Sequence, residues 1–145
     1  MKYFITGGLG LIGSSIANSL QGEVTILSRS SSHLDRLKRK DAKVIIKDLK
    51  DLEKKHVENV DAIYHCASTV DNYNVFTNPY LDVETNIKDT IKLLEACRGL
   101  PKKPKIIFLS TFFVYGNEYD RTKKPINEES KTDPLAIYPA TKLCT

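Results

Sequence analysis

The chain lacks the features that mark membrane, fibrous and secreted proteins. Its 145 residues contain no long apolar run and no internal repeat or low-complexity linker, so they predict no membrane span, fibre or disordered tail. The first residues lead from one lysine directly into a short apolar segment, without the long apolar stretch of a signal peptide. We therefore expect a cytoplasmic protein of about one domain.

The charge is also too low and too evenly spread for a nucleic-acid surface. Lys and Arg number 22 against 18 Asp and Glu, which leaves a net charge of +4. A nucleic-acid site usually shows a dense basic stripe with interleaved aromatic residues. The excess of lysine therefore indicates an ordinary solvated surface, and we expect no nucleic-acid partner.

Cysteine and histidine are scarce and do not form metal-binding patterns. The three cysteines, Cys66, Cys97 and Cys144, are widely spaced and include no C-x-x-C pair. Such an odd set fits reduced thiols better than a disulfide framework or a zinc site. The three histidines share no ligand spacing either, so no metal is expected.

The most informative stretch is the start of the chain. The apolar run Lys2–Thr6 leads into Gly7, Gly10 and Gly13, and an amphipathic segment, Leu11–Leu20, begins inside this glycine loop. This order predicts a strand, a tight turn and a helix, in which the glycines allow the turn, the approach of a pyrophosphate and close packing of helix on strand. The positive end of the helix would then face an anion. We predict a dinucleotide-binding loop rather than an ordinary glycine-rich turn.

Short apolar runs alternate with helical segments along the whole chain. After Lys2–Thr6, the predicted strands are Glu23–Ser28, Lys43–Lys47, Asp61–Ala67 and Lys105–Ser110. The predicted helical segments are Leu11–Leu20, Ser32–Lys40, a short charged turn at Leu49–Val57, and a long amphipathic helix from about Pro79 to Gly99. This alternation predicts an α/β fold with a doubly wound parallel sheet. With a dinucleotide-binding loop after the first strand, the expected strand order is 3-2-1-4-5. Its ligand crevice would lie at the carboxyl ends of the strands.

Two residues after predicted strands bear on which cofactor is bound. Arg29 stands at the end of the second strand, where a carboxylate would bind the ribose of NAD. An arginine there can pair with a 2′-phosphate, which favours NADP over NAD, although Arg29 could also stack on the adenine or point to water. Asp48, after the third strand, could accept a hydrogen bond from the adenine amine, cap the following turn, or do both.

The segment around Tyr138 is the candidate for chemistry. If Pro139 opens a helix, Tyr138 and Lys142 lie four residues apart on one face at its positive end. A neighbouring ammonium favours the phenolate form of a tyrosine, which makes the side chain usable as a general acid and base. A hydroxyl from Thr111 or Ser110 would steady the same substrate oxygen. Small side chains at Cys66 and Ala67 could pass close to the second half of a dinucleotide or simply pack in the core.

Taken together, these motifs resemble the extended short-chain dehydrogenase/reductase family, of the NAD-dependent epimerase/dehydratase type. The matching pieces, in the order of that family, are TGGLGLIG at 6–13, DL at 48–49, HCAS at 65–68, Asn86, STFFVYG at 110–116 and YPATK at 138–142. The resemblance implies a Rossmann-type domain and an enzyme that acts on nucleotide sugars with NAD or NADP.

The resemblance also implies roles for individual residues. The pyrophosphate would lie against Gly7, Gly10, Leu11, Ile12 and Gly13. Asp48 and Leu49 would hold the adenine, Cys66, Ala67 and Ser68 the nicotinamide half, and Asn86 would support the loop beneath it. Tyr138 would be the acid/base, Lys142 would bind the nicotinamide ribose and tune Tyr138, and Thr111 would be the hydroxyl partner.

Two departures from the pattern of this family narrow the expected function. Sugar dehydratases of the family carry an Asp-Glu pair after the catalytic threonine, where this chain has Phe112 and Phe113. Phenyl rings move no protons, so an epimerase or a reductase is favoured. The chain also stops three residues past Lys142, so we expect residues 1–145 to be a truncated cofactor-binding domain without its substrate-binding half.

Two further expectations concern activity and assembly. We expect the 145-residue chain to be inactive by itself, and to form a homodimer or otherwise self-associate through an uncovered fifth strand. The alternative to an enzyme is a non-catalytic NADP-binding sensor or regulatory module of the same fold. Such a module would have no need of Thr111, Tyr138 and Lys142 together.

Overall fold

A computed structural model describes residues 1–69, 78 and 80–145, apart from the side chain of Tyr119. The described residues form two compact units, of which the first comprises Met1–Ser68 and Lys88–Leu109 and the second Thr69–Ile87 and Ser110–Thr145. None of the helices in this described part of the chain is both long and apolar enough to cross a membrane.

The first unit is built around a parallel sheet of five strands. The strands are β1 (Lys2–Thr6), β2 (Glu23–Ser28), β3 (Lys43–Ile46), β4 (Ala62–His65) and β5 (Lys105–Phe108). Their order in the sheet is β3-β2-β1-β4-β5, with every neighbouring pair parallel. The predicted Rossmann-type α/β fold and strand order are therefore confirmed.

Six α-helices are described, along with several shorter helical turns. The α-helices are α1 (Leu11–Ser19), α2 (Lys54–Val57), α3 (Tyr80–Asp82), α4 (Asp89–Arg98), α5 (Glu118–Thr122) and α6 (Ile137–Cys144). A π-helix, Val83–Lys88, lies between α3 and α4, and 3₁₀ turns occupy Leu34–Arg36, Leu49–Asp51 and Phe112–Tyr115. The predicted helix from about Pro79 to Gly99 thus consists of three successive pieces, and Pro79 itself lies outside the described residues.

The sheet buries a separate apolar cluster on each of its faces. Successive residues of β1 point to opposite sides, so Phe4 belongs to one cluster and Ile5 to the other. Leu93 and Cys97 of α4 pack in the Phe4 cluster, while Ala17 of α1 packs in the Ile5 cluster. Burial raises the pKa of the Cys97 thiol. Burial on both faces explains why the strands read as continuous apolar runs.

The predicted helix Ser32–Lys40 is wrong, because only the 3₁₀ turn Leu34–Arg36 forms there. Asn18 of α1 holds the chain on both sides of Leu37: its Nδ2 donates to the Arg36 carbonyl at 2.9 Å, and its Oδ1 accepts from the Lys38 N–H at 2.9 Å. The Arg39 guanidinium then donates to the carbonyls of Ala17, Leu20 and Gly22 at 3.1, 2.9 and 2.8 Å. These bonds fix an irregular segment over the end of α1 and replace the hydrogen bonds of a helix.

Several predicted element ends extend beyond the observed ones. The observed strands are shorter than predicted and do not include Lys47, Asp61, Cys66, Ala67, Leu109 and Ser110. Single hydrogen bonds, such as that from the Lys47 N–H to the Ser28 carbonyl at 2.8 Å, still continue the ladder beyond the strand ends. Pro139 does not open its helix, since α6 begins at Ile137. Proline is tolerated at the third helical position because an N–H in the first turn has no acceptor within the helix.

Candidate functional site

The glycine loop lies in the first unit, between β1 and α1. Gly7 has φ +65°, and a Cβ there would lie 2.8 Å from the Ala67 nitrogen. A Cβ at Gly13 would lie 2.8 Å from Gly8 Cα and would also collide with the Gly7 carbonyl. These two glycines are therefore required by the backbone itself, whatever the loop binds.

Gly10 is different, because its surroundings leave room on one side. It precedes α1 with φ −68°, and a Cβ there would have only the Gly7 carbonyl oxygen, at 3.1 Å, within 4 Å among the described residues beyond its chain neighbours and the backbone of its own helix. Leu11 and Ile12 are 78% and 55% exposed. Among the described residues no side chain caps the start of α1, and no acidic residue lies in its first turn. The open cradle and the uncapped N–H groups fit the pyrophosphate of a dinucleotide.

The two residues predicted to select the adenosine half lie after β2 and β3. Arg29 is exposed, and among the described residues its side chain has no hydrogen bond or ion pair. Ser28 Oγ donates to the Ser30 carbonyl at 3.0 Å, and the hydroxyls of Ser30 and Ser32 lie 2.9 Å apart. Hydroxyls therefore surround Arg29 in the sequence, and no carboxylate is present among residues 28–32.

Asp48 has the capping contact that was one of its two predicted roles. Its Oδ1 accepts from the Lys50 N–H at 3.1 Å, at the start of the turn Leu49–Asp51. Leu49 is 5% exposed and belongs to the Phe4 cluster. Capping uses one carboxylate oxygen of Asp48, so the predicted bond to the adenine amine stays compatible with this geometry.

A buried histidine connects three elements of the first unit. Its place in the HCAS motif was recognised from the sequence, but its role in holding these elements together was not. His65, at the end of β4, is 1% exposed. Its Nδ1 lies 2.6 Å from Thr6 Oγ1, and its Nε2 lies 2.8 Å from Thr90 Oγ1 in α4. The Ala67 N–H donates to the same Thr6 hydroxyl oxygen at 3.2 Å. The hydrogen bonds that link Thr6, His65 and Thr90 thereby fix the half-buried segment Cys66–Ser68 beside the glycine loop.

The second unit carries the candidate acid/base pair on α6. Tyr138 is half-buried and Lys142 is 4% exposed. Both lie within the helix Ile137–Cys144, four residues apart, so they share one face. The predicted helical spacing of these two residues is thus present, with Tyr138 in the first turn, at the positive end of the helix.

Asn86 joins α6 to the segment that follows β4. The Thr69 N–H donates to Asn86 Oδ1 at 3.1 Å, and Asn86 Nδ2 donates to Thr141 Oγ1 at 3.0 Å. Thr141 Oγ1 in turn donates to the Tyr138 carbonyl at 2.7 Å. Thr69 Oγ1 also donates to Asp82 Oδ1, while Asp82 Oδ2 is buried and has no hydrogen-bond partner among the described residues. Neither Thr69, Asp82 nor Thr141 was identified from the sequence, because threonine and aspartate are common and carry no spacing signal.

Thr111 stands at the start of the turn Phe112–Tyr115, which packs against α6. Its Oγ1 accepts from the Phe113 N–H at 3.3 Å, so the hydroxyl caps the turn and keeps its proton to donate elsewhere. Phe112 and Phe113 are 69% and 51% exposed, and their ring centroids lie 4.1 Å apart. Ser110, the other hydroxyl considered, is exposed. No cluster of three or more potential metal ligands occurs among the described residues.

Comparison with known proteins identifies the family. Residues 3–145 match the family model described as "NAD dependent epimerase/dehydratase family". The chain belongs to this family. Membership in the NAD-dependent epimerase/dehydratase family confirms the resemblance drawn from the glycine loop and the YPATK motif.

Three members of the family illustrate the range of activities. The chain is 31% identical to "D-erythronate dehydrogenase" of Haemophilus influenzae, and the matched region includes 98% of this chain and 47% of that protein. It matches UDP-N-acetylglucosamine 4-epimerase of Methanobrevibacter ruminantium with a TM-score of 0.88 and 30% identity, over 99% of this chain and 47% of that one. It matches the UDP-glucuronic acid 4-epimerase of Bacillus cereus, in complex with UDP-glucuronic acid and NAD, with a TM-score of 0.86 and 26% identity. This match covers 99% of this chain and 49% of that one. The chain thus spans about half the length of these relatives.

Proposed function

We propose that this chain is the cofactor-binding and proton-transferring part of a nucleotide-sugar epimerase. The observation that carries the proposal is the pairing of Tyr138 with the buried Lys142 on one face of α6, against which the turn that follows Thr111 packs. Two of the relatives described above are sugar-nucleotide epimerases, which supports the substrate class.

The cofactor in this proposal is NAD or NADP, held by the loop of Gly7, Gly10 and Gly13. When bound, such a cofactor accepts a hydride from the sugar carbon and returns it. The open side of Gly10 and the uncapped start of α1 would hold its pyrophosphate, and Cys66, Ala67 and Ser68 would pass close to the nicotinamide half. Asp48, Leu49, Asn86 and Lys142 keep the supporting roles that the resemblance implies.

The proton steps belong to Tyr138. As a phenolate it would take the proton of the sugar hydroxyl while the hydrogen on the same carbon leaves as hydride. Lys142 would favour that phenolate through its positive charge, and the Thr111 hydroxyl would donate a hydrogen bond to the reacting oxygen. In an epimerase Tyr138 would then give the proton back to the same oxygen, once hydrogen has returned to the other face of the carbon.

A one-way reductase or dehydrogenase is the second candidate, and Arg29 is the observation that favours it. Exchange of cofactor after each turnover suits NADP, whose 2′-phosphate the exposed Arg29 could bind. The dehydrogenase relative of Haemophilus influenzae is consistent with this outcome. A dehydratase has less support, because Phe112 and Phe113 cannot transfer protons. A non-catalytic NADP sensor is the alternative outside enzymes.

The function is tested by turnover in the full-length protein with UDP-glucose, UDP-N-acetylglucosamine and UDP-glucuronate, each with NAD or NADP. We expect the epimer of at least one sugar nucleotide to form. Tyr138→Phe should lower turnover by at least a factor of about 10²–10⁴ while leaving the cofactor dissociation constant nearly unchanged. The matched control is Tyr115→Phe, which changes a half-buried tyrosine of the same unit and should keep its rate. Full activity in Tyr138→Phe would refute the proposed role of Tyr138, whereas absence of turnover with every sugar nucleotide in the unaltered protein would favour the sensor.

Two further parts of the proposal concern the chain itself. Since the chain spans about half the length of its relatives, we propose that the 145-residue chain alone does not turn over substrate. We also propose that it forms a homodimer or otherwise self-associates, because β5 is an edge strand of the described sheet.

A further inference from the structure

Phe112 and Phe113 form an apolar patch on the surface of the second unit. The two rings are 69% and 51% exposed, lie 4.1 Å apart between centroids and are inclined by 32°. The next residue of the same turn, Val114, is 6% exposed and Tyr115 is half-buried. Single exposed phenylalanines are common, but two adjoining rings keep a continuous apolar surface in water, which favours a ligand that covers it.

The position of this patch relates it to the candidate chemistry of the same unit. Phe112 directly follows Thr111, and the Phe113 N–H donates to the Thr111 hydroxyl oxygen. The turn that carries both rings packs against α6, the helix of Tyr138 and Lys142. A substrate whose hydroxyl reaches Thr111 would therefore place the rest of its sugar ring near the phenyl groups.

The chemistry of a phenyl face determines what it can hold there. An aromatic face carries partial negative charge, so it attracts the C–H groups on the apolar face of a pyranose and repels a carboxylate. Neither residue offers a donor that could replace the water lost by an anion. A carboxylate held against these rings would be left unpaired, at a considerable cost.

We propose that Phe112 and Phe113 form a stacking wall for the sugar ring of the substrate, and that this wall selects sugars with an uncharged substituent beside the reacting carbon over uronic acids. The inference rests on the proposed function and adds the class of sugar. The proposed selectivity distinguishes this chain from the relative of Bacillus cereus that binds UDP-glucuronic acid, to which its sequence identity is 26%.

The test compares UDP-glucose with UDP-glucuronate in the full-length protein, both as substrates and as ligands. We expect kcat/KM to favour UDP-glucose by a factor of about 10–100, which is the typical consequence of leaving one buried charged group unpaired. An equal or higher kcat/KM for UDP-glucuronate would overturn the proposed selectivity.

The variant Phe112→Leu/Phe113→Leu keeps the patch apolar and removes both rings. It should raise the KM for UDP-glucose about tenfold, as expected from the loss of two aromatic contacts, with the dissociation constants of the cofactor and of UDP unchanged. Ile126→Ala, which shortens a 37% exposed apolar side chain of the same unit, is the matched control and should leave all these constants unchanged. An unchanged KM in the leucine variant would overturn the proposal, and would indicate that another part of the protein covers the rings.

Equilibrium binding separates this inference from the proposed function. Absence of turnover with every sugar nucleotide would refute the enzyme but would leave the wall measurable by calorimetry. UDP-glucose that binds more tightly than UDP, and loses this advantage in the leucine variant, supports the wall. UDP-glucose that binds no more tightly than UDP overturns it.

Discussion

Arg29 is the residue on which the choice between NAD and NADP depends. It follows β2 at the carboxyl edge of the sheet, is exposed, and has no carboxylate among its immediate neighbours in the sequence. A charge-assisted contact with a 2′-phosphate contributes roughly 1.5–3 kcal/mol, or about a 10- to 150-fold difference in affinity. We predict that NADP binds more tightly than NAD by such a factor and that Arg29→Ala removes the preference.

The measurement is a calorimetric titration of the full-length protein with each cofactor. Lys103→Ala serves as the control, because Lys103 is exposed and precedes β5. It therefore lies at the amino ends of the parallel strands, whereas Arg29 follows the carboxyl end of β2. It should keep the preference of the unaltered protein. Equal affinities for NAD and NADP before any substitution would show that Arg29 does not contact the phosphate.

The local geometry of individual candidate residues was predictable where the nearby sequence carries the signal. The need for glycine at Gly7 and Gly13 could be predicted from the tight turn, and the shared helix face of Tyr138 and Lys142 from their spacing. Their roles in binding and catalysis stay predictions. His65 could not be interpreted in this way, since its partners Thr6 and Thr90 lie 59 and 25 residues away in the sequence. Only the pairing of β1 with β4 brings Thr6 and His65 together.

At the scale of elements, α6 depends on bonds from outside the helix. It has eight residues, and a helix of that length is marginal without tertiary contacts. Thr141 is 3% exposed and accepts the bond from Asn86 Nδ2. We predict that Thr141→Val, which keeps the shape but removes the hydroxyl, lowers the free energy of unfolding by about 1–3 kcal/mol, because the bonds of that hydroxyl to Asn86 and to the Tyr138 carbonyl are both lost.

Urea denaturation and hydrogen exchange of the full-length protein measure this effect. Exchange protection of α6 should decrease in Thr141→Val, while protection of the sheet strands should stay unchanged. Thr132→Val, at an exposed threonine of the same unit, should alter neither quantity. Unchanged stability in Thr141→Val would mean that the Asn86–Thr141 bond does not hold the helix.

Helices and strands could be predicted where the pattern of apolar residues along the sequence was clear. Strands with buried residues on both faces gave continuous apolar runs, and their order followed from the dinucleotide-binding fold that the glycine loop indicates. The segment Ser32–Lys40 was predicted as a helix from its local pattern, but Arg39 and Asn18 hold it against the end of α1 through bonds that span up to 22 residues. Such long-range bonds override local helical propensity, and they could not be predicted from the sequence of the segment itself.

At the scale of the molecule, two features of the first unit bear on association. One is the edge strand β5, and the other is the pair Ile91 and Leu94 on α4, which are 54% and 44% exposed. An open edge pairs through its backbone, so we predict that the 145-residue chain self-associates at micromolar concentration in sedimentation velocity.

The helix surface provides the control for this prediction. Ile91→Glu/Leu94→Glu places charges on α4 and should leave association through β5 in place. Loss of association in this variant would assign the contact to α4, and a monodisperse monomer of the unaltered chain would contradict the prediction altogether.

The central claim is that the glycine loop binds the dinucleotide, and calorimetry of a single substitution tests it most directly. Gly10→Val places a side chain on the open side of the loop, where Gly10 has φ −68° and a Cβ would have the Gly7 carbonyl oxygen at 3.1 Å as its one close neighbour among the described residues. Gly99→Val is the matched control, since a Cβ there has as its nearest atom Lys54 Nζ at 3.9 Å. With both variants folded by circular dichroism, we predict that Gly10→Val loses affinity for NAD and NADP by a factor of about 10–150, the equivalent of one bond to the pyrophosphate, and that Gly99→Val keeps it. Unchanged affinity in Gly10→Val would contradict the account.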